Sequence, residues 1–209
     1  LIGGGKIRVP KDDQVGDPHG DAGAKGESVG TATIPDPVKL FVAMTSRPDV
    51  GADEATAALT GRFGPVDNSY GPIPFGFTDY YESEMGTHLT KTYVTFQTPV
   101  VRESLAEIKV FTNNLERQYA ASGTRTINLD PGYLASDKLV LASTKDFFHR
   151  IYLSHGIFAE VTLHYRKGMY RYFSWTFPDY RDLAFIEFLE RVRAQYVKVI
   201  RNSRENRMA

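Results

Sequence analysis

One concentration of reactive side chains lies between Thr144 and Arg150, where Lys145, His149 and Arg150 surround Phe147 and Phe148. Lysine can hold a phosphate or carboxylate as a point charge and arginine as a two-pronged donor, so Lys145 and Arg150 form a candidate anion site. Solvated charges at a strand end have the same composition. Asn128-Leu129-Asp130-Pro131-Gly132-Tyr133 reads first as a turn, its side-chain oxygens accepting backbone N–H groups and its glycine free to take positive φ. If Asp130 instead faces a cleft, it is an acid/base group or a cation ligand. Glu82 and Glu84 share a face if they lie on a strand, which suits joint binding of a divalent metal unless Lys91 neutralises one of them. Carboxylates so placed can equally protect a sheet edge from aggregation. Lys138 and Trp175 complete the candidate ligand contacts, with Trp175 as a pocket floor.

Hairpin register tightens the pattern. A two-residue turn at His155-Gly156 sets Ser154 against Ile157 and His149 against Thr162, with Glu160 as a diagonal neighbour. Diagonal cross-strand neighbours stand roughly 7 to 8 Å apart, close enough for the imidazole and the carboxylate to meet. His149, Glu160, Thr162 and His164 then share a polar face, opposite Ile157, Ala159, Val161 and Leu163. A similar turn at Lys167-Gly168 sets Arg171 against His164 and Trp175 against Glu160. A histidine oriented by a carboxylate can act as a general base, so His149, Glu160 and Asp130 are the candidate catalytic groups.

The elements that position these residues follow from periodicity. Strands are expected over 38–45, 73–82, 89–98 and 124–129, and helices over 53–63 and 103–119. That order, β-α-β-β-α-β, is the ferredoxin-like arrangement of an antiparallel sheet with both helices on one face. Beyond it, segments 139–144, 150–153, 157–165 and 169–173 form a β-meander, and 181–200 a C-terminal helix with Asp179 as its N-cap. The fold class is therefore α+β. One domain is expected over 38–201, preceded by a flexible glycine-rich extension over 1–37 and followed by a frayed tail over 202–209. Gly3-Gly4-Gly5-Lys6 lacks the spacing, the preceding strand and the Ser/Thr of a phosphate loop.

Tyr93-Val94-Thr95-Phe96, Ile127-Asn128-Leu129-Asp130-Pro131-Gly132-Tyr133-Leu134, Lys138-Leu139-Val140-Leu141-Ala142-Ser143-Thr144-Lys145-Asp146, His149-Arg150-Ile151-Tyr152-Leu153, Gly156-Ile157-Phe158-Ala159-Glu160-Val161-Thr162-Leu163 and Trp175-Thr176-Phe177-Pro178-Asp179-Tyr180 together resemble DUF4416, a bacterial family of unknown function. The resemblance spans about 38–201. It implies a bacterial origin and one compact domain, and it carries no mechanism.

The 209 residues hold 25 basic and 25 acidic side chains and no cysteine. Balanced charge argues against a DNA partner, and zero cysteines rule out disulfides, thiol nucleophiles and cysteine-bound metals. Without a long apolar run or a signal-peptide pattern, the chain is expected to be soluble and cytoplasmic. Nucleotide-binding fingerprints, Gly-x-Ser-x-Gly and His-Glu-x-x-His do not occur. The expectation is an enzyme or binding protein for a small anionic, phosphate- or nucleotide-like ligand, with a divalent metal as a conceivable cofactor. A non-catalytic module that self-associates or docks a partner through the exposed sheet is the alternative, and RNA stacking on the sheet aromatics is a minority one.

Overall fold

The computed structural model describes residues 30–50, 52–77, 81–121 and 123–208. Gly3-Gly4-Gly5-Lys6 and most of the expected extension lie outside the described residues. The elements are β1 Lys39–Ser46, α1 Asp53–Phe63, β2 Val66–Pro74, α2 Glu82–Met85, β3 Thr90–Phe96, α3 Leu105–Gln118, β4 Ile127–Leu134, β5 Lys138–Ser143, β6 Ile151–Ser154, β7 Ile157–Arg166, β8 Met169–Tyr172 and α4 Leu183–Met208. Short 3-10 turns, Arg102–Ser104 and Pro178–Arg181, lead into α3 and α4.

The strands form one eight-stranded sheet, ordered β2-β3-β1-β4-β5-β7-β6, with β8 on β7 beside β6. Every pairing is antiparallel. Alternation along β1 sorts the two faces. Leu40, Val42 and Met44 pack with Ala55 and Leu59 of α1 and Ile108 and Leu115 of α3. Phe41 and Ala43 pack with Phe185, Leu189 and Val192 of α4 on the opposite face. Buried on both faces, β1 shows a continuous apolar run rather than alternation.

Several expectations are corrected. The strand expected over 73–82 lies earlier: β2 runs Val66–Pro74, and Glu82 begins the single turn of α2. The Asp130-Pro131-Gly132 run is not a turn but the middle of β4. α4 runs on to Met208, into the segment expected as a tail, with Arg201–Glu205 pairing along it and Arg204 gripping Asp36. Asp182, not Asp179, caps α4: its Oδ1 accepts the N–H of Ala184 at 3.0 Å and of Phe185 at 3.1 Å.

The two hairpin turns form as expected. His155 and Gly156, then Lys167 and Gly168, all take positive φ, the conformation of the two-residue turn that matches strand twist. Two bulges then alter the register. One before Ser154 sets Ile151 opposite Ala159. The other, at Thr162, sets Leu163 opposite Leu139 while Val161 lies opposite Val140. An extra residue reverses which face the next side chains take. Leu163 therefore joins the α4 side of the core, while Ile157, Ala159 and Val161 pack with Val140 and Ala142. His164 is thereby removed from the expected polar stripe, although it does oppose Arg171.

Candidate functional site

β4 pairs with β5 over only three residues, Gly132 to Leu134 against Leu139 to Leu141. Two local features explain this. A Cβ on Gly132 would stand 2.3 Å from the Val140 carbonyl oxygen, so glycine permits the close approach of the two strands. Pro131, next toward the N-terminus, has no N–H to extend a ladder, and the β4–β5 pairing ends there. Beyond it the strands separate, and side chains from α3 meet the exposed β4 backbone. Glu116 Oε1 accepts the Leu129 N–H at 2.8 Å, and Lys109 Nζ donates to the Leu129 carbonyl at 2.7 Å. A carboxylate and an ammonium thus take the place of a neighbouring strand's backbone.

A cavity of about 550 Å³ occupies the separation, within the range of about 300–1,000 Å³ usual for small-molecule sites. Five cationic side chains line it, Lys91, Lys109, Arg125, Lys145 and Arg150, against four carboxylates, Glu116, Asp130, Glu160 and Asp179. Most of these charges are buried and paired. Lys109 meets Asp130 at 3.2 Å, and Asn128 Nδ2 donates to the other Asp130 oxygen at 2.7 Å. Despite burial, which opposes ionisation, Lys109 and Lys91 hold the Asp130 carboxyl below its ordinary range. Burial pushes Glu116 up, against the pull of Lys109, the Leu129 N–H and Arg125. Arg125 donates to Glu116, to Asn128 and, through two nitrogens, to Glu84, which lowers the Glu84 pKa.

On the far wall Arg150 donates to Glu160 at 2.7 Å and to Ser143 Oγ at 2.8 Å. His149 Nε2 lies 3.3 Å from the same Glu160 oxygen, and Thr162 donates to the other at 3.2 Å. The expected His149–Glu160 contact therefore forms, but from the turn that precedes β6 and not from a strand position opposite Thr162. His149 does not line the cavity. Its ring stacks on Trp175, centroids 5.0 Å apart, and its buried Nδ1 has no partner among the described residues. Trp175 does not floor the cavity either; it donates to the Val161 carbonyl at 3.0 Å.

Asp130, Lys145, Arg150 and Glu160 thus line one cavity. Lys138 does not join them and pairs with Asp137 at 3.2 Å. Glu82 and Glu84 do not form the expected metal pair. Two positions apart on a helix they point in different directions, and Glu84 is bound by Arg125. Among the described residues, no cluster of three or more His, Asp or Glu could hold a metal. Lys91 neutralises neither glutamate: its Nζ lies 2.5 Å from Asp179, inside the rings of Phe75, Tyr93 and Tyr180.

Sequence reasoning missed Lys109, Glu116, Arg125 and Asp179. One signal was available on α3, where Lys109, Thr112 and Glu116 recur at helical spacing beside the apolar stripe and are buried with it. A family model described as a domain of unknown function, DUF4416, matches residues 36–196. No curated protein and no solved structure matches the chain.

Proposed function

The chain belongs to the DUF4416 family, and we propose that it is an enzyme or binding protein of the bacterial cytoplasm acting on a small anionic, phosphate- or nucleotide-like compound. One observation carries this reading: charged groups from α3, β4, β7 and the 3-10 turn before α4, most of them buried, converge on a single cavity whose lining holds one more cation than carboxylates. Lys145 and Arg150 hold the anion. Glu160, Ser143 and the Lys145 carbonyl fix the Arg150 fork, and His149 positions Glu160 from behind. Lys109 and Lys91 hold Asp130 in its ionised form, while burial raises the Glu116 carboxyl above its ordinary value, so Glu116 is the carboxyl better suited to hold and exchange a proton. In fold terms we read β1–β4 with α1 and α3 as a ferredoxin-like half, a reading supported by the order β2-β3-β1-β4 and by both helices packing on one face.

A thermal-shift screen with inorganic phosphate, phosphorylated metabolites and nucleotides tests the reading, because a ligand of the native state raises Tm by mass action. Wild type should respond and Lys145→Ala should respond less. If no anion moves the wild-type Tm, the reading fails.

A specific observation favours the interaction module as a second reading. Phe148 and Ile151 are 90% and 72% exposed, and Tyr152 and Leu153 beside them are also exposed, on or next to the terminal strand β6. Ile151→Lys would then lower the light-scattering mass of an oligomeric wild type; a wild-type mass of one chain counts against this reading.

A further inference from the structure

Building on the anion site above, we propose that the bound compound carries a planar ring beside its phosphate, as a nucleoside monophosphate does, and that Phe77 and Phe177 hold the ring. Phe77 follows β2 and Phe177 precedes the 3-10 turn before α4, so distant parts of the chain each bring an aromatic side chain to the same cavity. Both line it while remaining 40% and 49% exposed. Phenylalanine left uncovered at the cavity wall leaves apolar surface in water. A planar ring lying over it removes that surface and adds stacking, which neither bare phosphate nor a pentose can supply. Phe77 is backed by Phe75, centroids 6.1 Å apart, and Phe75 in turn lies over the Lys91 ammonium at 4.9 Å. The aromatic wall is thus tied to the buried charge network.

Asp130 and Asn128 line the same cavity as the aromatic wall and the Lys145/Arg150 pair. An ionised carboxylate has about four lone-pair positions, and among the described residues Asp130 uses two, for Lys109 and Asn128. The remainder can accept the hydroxyls of a sugar joining ring to phosphate.

Calorimetric titration with AMP, UMP, ribose 5-phosphate, adenosine and inorganic phosphate tests the proposal on the full chain. A nucleotide should bind about tenfold or more tightly than ribose 5-phosphate. Phe77→Ala and Phe177→Ala should each erode that preference and leave ribose 5-phosphate binding within about twofold, while Phe177→Trp retains it. Circular dichroism melts establish that the variants are folded. Equal binding of ribose 5-phosphate and both nucleotides, or a preference unchanged in both alanine variants, overturns the ring assignment and leaves the anion site standing. Adenosine binding as tightly as AMP overturns the phosphate instead. If no phosphate compound binds wild type, both fall.

Discussion

Leu129 shows how single residues build this site. Its backbone N–H and carbonyl would pair with a strand if β4 and β5 stayed together, and Glu116 and Lys109 satisfy them instead. Burying such charges costs several kcal/mol per ion, and removing one partner strands the other. Lys109→Met, which leaves Asp130 and Glu116 without their shared cation, should therefore lose about 3–5 kcal/mol of stability; a loss below about 1 kcal/mol in urea titration would contradict the role assigned to it. The two carboxylates also give opposite pH dependences. Asp130, held below its ordinary value of 3.8, contributes stability above that pH that is lost as pH falls through its folded-state value. Glu116, raised above 4.5, binds its proton more tightly when folded, so stability falls as pH rises from 4.5 through its folded-state value. Relative to wild type, Asp130→Asn should flatten the acid limb and Glu116→Gln the decline above pH 4.5, both read from chemical denaturation at a series of pH values. The chemistry of Lys145, Arg150, Asp130 and Glu160 was legible from residue type. Lys109 and Glu116 were not, because on an amphipathic helix they look like boundary charges until the gap in the sheet encloses them.

Elements were legible where periodicity was strong. α1 matches its expected span, and β7 with both its hairpin turns follows the expected order. β2 was misplaced because Asn68-Ser69-Tyr70-Gly71-Pro72 carries turn-forming residues, which an edge strand tolerates since only one side must be paired. The Asp130-Pro131-Gly132 run misled for a related reason. Proline and glycine signal a turn locally, but here one ends a ladder and the other admits a neighbouring backbone. Gly132→Ala tests this directly. Its methyl would press on the Val140 carbonyl, so the variant should lose about 1–3 kcal/mol by thermal or urea unfolding, whereas a true turn glycine with open space around it would lose less. Asp182→Ala should cost about 1 kcal/mol as the lost cap of α4, and Asp179→Ala should cost more by leaving Lys91 buried without its carboxylate.

At the scale of the molecule, one sheet joins both layers, with α1 and α3 packed against one face and α4 against the other. A continuous sheet shared by both core layers should unfold as a unit. Calorimetry should give a single transition whose calorimetric and van't Hoff enthalpies agree; two resolved transitions would divide the chain into separate units. The sequence by itself determined the α+β class, most of the helices and strands, the hairpin turns, the family resemblance and two of the cationic side chains that line the cavity, Lys145 and Arg150. These depend on local periodicity, turn geometry and side-chain type, each set within a few neighbouring positions. Only the tertiary structure decided where β4 and β5 part, which charges become buried there, and that His149 stands behind Glu160 rather than in the cavity. Those outcomes depend on bulges and on contacts between residues far apart in the chain, whose energies exist only once the sheet has formed.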